Sequence, residues 1–89
     1  MTKITKNKTD KNMHSHKETL EFLSAYLKKG YAVEAQARLK KKSIPISTTM
    51  IRNIKSGDSI DWKVLEVLAE MALEIKKAKE KVEHLVSNN

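Results

Sequence analysis

Two glycines and one proline in 89 residues, at Gly30, Gly57 and Pro45, constrain this chain more than any other feature. Glycine and proline are the residues that stop a helix, and the stretches between these three positions carry apolar residues at steps of three and four. The expected fold is therefore all-α: a small helical bundle of four helices, the second and third forming a helix-turn-helix and the last being long.

Each helix carries its own start signal. Ser15 with Glu18 three residues on forms a capping box that opens the first, whose apolar side is Leu20, Leu23 and Leu27, flanked by Phe22 and Tyr26. Lys28 and Lys29 suit the negative end of its dipole, and Gly30 is expected to stop it. A second helix is expected from Ala32 to about Lys41, with Ala32, Ala35 and Leu39 on one face and Val33 and Ala37 beside them. Pro45 ends any helical run before it.

Ser47 caps the third helix. Ile46 before the cap and Ile51 at the fourth helical position are placed to form a hydrophobic staple. Met50, Ile51 and Ile54 are expected to face the core, which leaves Thr48, Thr49, Arg52, Asn53, Lys55 and Ser56 for the other faces, and Gly57 ends the helix. Asp61 repeats the capping arrangement, with Ile60 before it and Leu65 after it, and Trp62 reads as a core anchor. The last helix then runs to about Val86 through the seam Leu65, Leu68, Ala72, Ile75, Lys79, Val82 and Val86. At roughly 37 Å it outruns a domain this small, so its second half must fray or meet a partner.

A basic arm over residues 1–14, without periodicity, is expected to be disordered. Residues 15–75 then form the helix-turn-helix domain, and 76–89 an extension of the last helix and a possible dimerisation segment. A chain this short buries only about 60–65% of its unfolded surface, and with no cysteine it has neither a disulfide nor a thiolate metal site to add stability. The lack of cysteine agrees with a reducing compartment. No apolar run approaches the ~20 residues of a membrane span, and the basic N-terminus has no apolar segment after it, as a secretory signal would. These features point to a cytoplasmic chain without membrane contact.

The net charge of +7 is unevenly placed. Residues 1–17 contribute +4, 18–37 contribute −1, 38–57 contribute +6 and 58–89 contribute −2, which sum to +7. The acid-free stretch from 38 to 57 holds Arg38, Lys40, Lys41, Lys42, Arg52 and Lys55. Such an excess favours polyanions through attraction and counterion release. A short helix held by its apolar side can lie in the DNA major groove with its polar side toward base edges. Thr48, Thr49, Arg52 and Asn53 are the candidate base-reading residues. Arginine can grip guanine with two donors, asparagine suits adenine, and threonine offers a hydroxyl and a methyl. Lys40, Lys41, Lys42, Ser47, Lys55 and Ser56 are candidates for phosphate.

The segment Ile46-Ser47-Thr48-Thr49-Met50-Ile51-Arg52-Asn53-Ile54-Lys55-Ser56-Gly57 resembles the recognition-helix segment of phage-repressor-like helix-turn-helix regulators. The resemblance implies that Thr48, Thr49, Arg52 and Asn53 fall at or beside base-reading positions, with Ser47 and Lys55 near the backbone. It also implies transcriptional control by a dimer on a palindromic operator. The chain departs from the family pattern in two places: Lys40 to Pro45 lengthen the turn between Leu39 and Ile46, and the last helix is longer than usual.

Other chemistries find little support. His14 and His16 stand close together but without further ligands, His84 is isolated, and no metal or other cofactor is expected. Two glycines cannot build a phosphate loop, and no core large enough for a dry catalytic cleft is available, so neither an enzyme nor a small-molecule binder is expected. The expectation is sequence-specific binding of double-stranded DNA, with the third helix (about 48–56) in the major groove and a homodimer through the last helix. The alternative is a helical protein-interaction module pairing through that helix.

Overall fold

The computed structural model describes residues 15–87. These form four α-helices: α1 His16–Tyr26, α2 Tyr31–Lys41, α3 Thr48–Ser56 and α4 Trp62–Ser87. The expected disordered arm over 1–14, and His14 within it, lie outside the described residues.

All three predicted N-caps form. The Ser15 hydroxyl accepts from the Glu18 amide while Glu18 accepts from the Ser15 amide, closing the capping box. The Ser47 hydroxyl accepts from the Met50 amide at 3.1 Å, and the Asp61 carboxylate accepts from the Lys63 amide at 2.9 Å. Each satisfies a donor that a helix start leaves unpaired.

The end of α1 departs from expectation. The helix stops at Tyr26, and Leu27 turns extended. Lys28 and Lys29 therefore lie beyond it, and Gly30, at φ 89°, serves as the N-cap of α2 rather than the stop of α1. The cause is an early exit: Leu27 is partly buried against the core, and the chain must reverse at once to start α2.

The core is one cluster to which every helix contributes: Leu23; Ala32, Ala35 and Leu39; Ile51 and Ile54; and Val64, Leu65, Val67, Leu68, Met71 and Ala72. Small alanines on α2 let a neighbouring helix approach closely. Three expected core or staple residues are not covered. Met50 is 42% exposed, because a nine-residue helix buries only the narrow side centred on Ile51 and Ile54. Trp62 is 58% exposed, because the α4 seam begins at Val64 and Trp62 lies two residues earlier, on the opposite side; its ring makes a T-shaped pair with His16, centroids 5.8 Å apart. Ile60, placed to staple against Leu65, is 59% exposed.

The lengthened turn between α2 and α3 is tightly closed. The Ser43 amide donates to the Lys40 carbonyl at 3.0 Å, and the Ile44 amide to the Leu39 carbonyl at 2.9 Å. This paired pattern satisfies the last carbonyls of α2 and needs a left-handed residue at its bend. That residue is Ser43, at φ 65°, a conformation costly for any residue with a Cβ. Ser43→Gly is expected to stabilise the chain by about 0.5–1 kcal/mol, measured as a rise in urea midpoint at unchanged slope. The same geometry closes α3, where the Asp58 amide donates to the Asn53 carbonyl and Gly57 sits at φ 97°.

Beyond Ala72 no residue of α4 is fully buried, yet the helix continues to Ser87. Val82, Leu85 and Val86 are between 56% and 66% exposed. No helix among the described residues is long and apolar enough to cross a membrane.

Candidate nucleic-acid interface

The rigidity of α3 comes from its neighbours. Ile51 and Ile54 are sunk into the core, with 0% and 1% of their surface exposed. Ser47 pins one end, and the bonds at Gly57 pin the other. The turn leading into α3 is held from the side as well, since the Gln36 side-chain amide donates to the Ile46 carbonyl at 3.0 Å. This fixes α3 against α2 across a turn that sequence length alone left undetermined. Nothing in the spacing of Gln36 marks it, because its partner is a backbone carbonyl ten residues on.

Of the candidate base-reading residues, Thr49 and Arg52 are exposed, and Thr48 and Asn53 are half-buried. None of these four side chains makes a hydrogen bond with another described residue. Their donors and acceptors are therefore uncommitted within the described chain. Thr48 and Arg52 are one helical turn apart, as are Thr49 and Asn53, so the four make two adjacent stripes on α3.

The candidate phosphate ligands divide into two groups. Lys40, Lys41 and Lys42 are exposed and unpaired within the described chain. Lys40 borders a shallow groove with Val33, Gln36, Ala37, Pro45 and Ile46, which places it beside the entrance to α3. Lys55, at the far end of α3, stands over the Tyr31 ring, with its ammonium 5.6 Å from the centroid. Cations thus flank α3 at both ends.

Ser47 and Ser56 are already engaged. Ser47 spends its acceptor on the cap and keeps its proton for an outside partner. Ser56 donates to the Asn53 carbonyl at 3.0 Å and lies 3.2 Å from an Asp58 carboxylate oxygen. An incoming phosphate at Ser56 would meet that negative charge.

Arg38 corrects the charge count. Its guanidinium binds Glu34 at 2.6 Å and Glu74 at 2.9 Å, and these bonds raise its pKa and hold the Glu74 carboxyl below its usual range. The stretch 38–57 is acid-free along the chain but not in space, and Arg38 ties α2 to α4 instead of adding to a free basic face.

Tyr31 is the residue that sequence inspection overlooked. Burial pushes its phenol above the usual pKa, outweighing the nearby positive charge of Arg52, which acts to lower it. From the start of α2, Tyr31 thus lies under Lys55 and within the electrostatic reach of Arg52. A tyrosine directly after a glycine in a short loop reads as core or turn, and only the folded arrangement sets it beside Lys55.

Among the described residues no group of three or more His, Cys, Asp or Glu side chains is placed to hold a metal ion. Comparison with protein-family models, with curated proteins and with solved structures returned no match.

Proposed function

We propose that this protein binds double-stranded DNA sequence-specifically, with α3 in the major groove, and acts as a small transcriptional regulator. The observation that carries the reading is α3 itself, anchored by Ile51 and Ile54 while the side chains of Thr48, Thr49, Arg52 and Asn53 make no hydrogen bond among the described residues. A polar side built for water alone would not need such firm fixing. Base recognition does, because a hydrogen bond weakens steeply with misalignment. Arg52 and Asn53 are the candidates for guanine and adenine, and Thr48 and Thr49 for bases or thymine methyls. Lys40, Lys41, Lys42 and Lys55 would grip phosphates, with the Ser47 hydroxyl as a further donor, and so set the register.

Binding of the full chain to a fluorescent duplex, followed by anisotropy across a salt series, tests this reading. The four lysines alone predict that log affinity falls against log salt with a slope of roughly −3 to −4 per chain. Duplex RNA should compete poorly, because its deep, narrow major groove does not admit a helix. No salt-sensitive complex, or equal competition by duplex RNA, would overturn it.

Tyr31 supplies a finer test of the same surface. Tyr31→Leu removes the ring beneath Lys55 and should weaken binding by about 0.5–1 kcal/mol. Tyr31→Phe keeps the ring and should stay close to the parent protein in the same titration. Equal losses in both variants would assign the effect to the hydroxyl instead.

A further inference from the structure

We infer that the overhanging part of α4 is a self-docking surface, on which the same segment of a second copy lies antiparallel. The apolar seam that packs into the core as Val64, Leu68, Met71 and Ala72 does not end where the domain ends. It continues at the same helical spacing through Ile75, Ala78, Val82 and Val86, over about 16 Å of helix. Here Ile75, Ala78 and Val82 form one wall of a groove whose other wall is the last residues of α1 and the exit that follows them, from Ala25 to Lys28. An apolar seam carried this far past its own core is unexplained by the single chain, in which Val82 and Val86 remain 58% and 66% exposed.

Charge selects the occupant and its direction. One flank of the seam carries Lys76 and Lys79 first, then Glu83, with Glu80 further round toward the outer side; in the single chain Lys76–Glu80 and Lys79–Glu83 form i,i+4 pairs at 2.9 and 3.8 Å. A flank that is basic and then acidic complements itself only when reversed. Two copies related by a twofold axis near Lys81 bring Lys79 of each opposite Glu83 of the other. The same register sets Leu85 and Val86 of each copy beside Ile75 of the other, at the groove by Tyr26 and Leu27. A parallel pair would instead face that flank with Glu74, Lys77 and Lys81, which match it poorly. The 14 residues preceding Ser15 are a poor alternative occupant, since four are lysines and the large apolar ones are only Met1, Ile4 and Met13.

The register has a consequence that rests on the DNA-binding reading. From Leu68, in the middle of the buried stretch, to Lys81 is about 20 Å. The two domains would then be centred roughly 40 Å apart along the paired helices, close to the ~34–36 Å between half-sites one DNA turn apart.

The test is made without DNA, so its outcome is separate from that of DNA binding. Sedimentation equilibrium of the full chain should show a concentration-dependent monomer–dimer equilibrium, lost in Val82→Glu. That exposed position leaves the domain folded, which the circular dichroism melt of the variant checks. Because the chain has no cysteine, single-cysteine variants report direction. Mixed and oxidised, Ile75→Cys and Val86→Cys should yield mainly the mixed disulfide, whereas parallel pairing would yield the Val86→Cys homodimer. A parent protein monomeric at all concentrations, dimers surviving Val82→Glu, or a predominant Val86→Cys homodimer would each overturn the inference.

Discussion

Leu39→Ala is expected to destabilise the protein by about 2–5 kcal/mol, enough to unfold much of the population of so small a domain. Leu39 is fully buried in the cluster shared by all four helices. Its truncation leaves a cavity bordered by rigid helices that cannot collapse freely. The backbone of Leu39 matters too, because its carbonyl accepts from Lys42 and Ile44 and so anchors the turn into α3. Domains of this size have only about 0.05–0.15 kcal/mol of stability per residue, and no disulfide supplements it here. Val33→Ala, on the same helix but 61% exposed, should change stability by less than about 0.5 kcal/mol. Urea unfolding followed by circular dichroism separates the two. Similar midpoints for both variants would contradict the placement of α2.

Arg52→Ala should weaken binding to a preferred duplex by about 1–3 kcal/mol while affecting random duplex far less. The expectation follows from where Arg52 stands. It is exposed on α3, one turn from Thr48, and no carboxylate among the described residues holds it. Arg38 provides the contrast within the same sequence stretch, since its donors are occupied by Glu34 and Glu74. Lys41→Ala should weaken binding about equally on all duplexes and lower the salt slope by about 1, as a phosphate contact does. Equal losses on preferred and random DNA for Arg52→Ala would reduce it to a phosphate ligand.

What the sequence made legible was local. Ser15, Ser47 and Asp61 announce helix starts because a capping side chain bonds an amide two or three residues away, a relation contained in spacing. Leu23, Leu39, Ile51, Ile54 and Leu68 follow from helical periodicity for the same reason. Failures occurred where distant elements decide. Trp62 and Met50 are large and apolar, but which side of a helix is covered depends on its neighbours; Met50 falls at the margin of the covered side of α3 and Trp62 away from that of α4. Gly30 punctuates in either direction, and the packing of Leu27 made it a start rather than a stop. The candidate interface was legible as a polar helix face. The roles of Gln36 and Tyr31 in bracing it were not, since each reaches across the fold to α3 or to the turn before it. Arg38 shows the reverse error: absence of acids along a stretch did not mean absence of acids around it.

The most direct measurement is selection of duplexes bound by the full chain from a random-sequence pool. The account predicts enrichment of a short motif, with Arg52→Ala relaxing the preference at particular positions while leaving the rest of the motif in place. Recovery of duplexes no different in sequence from the starting pool would contradict it.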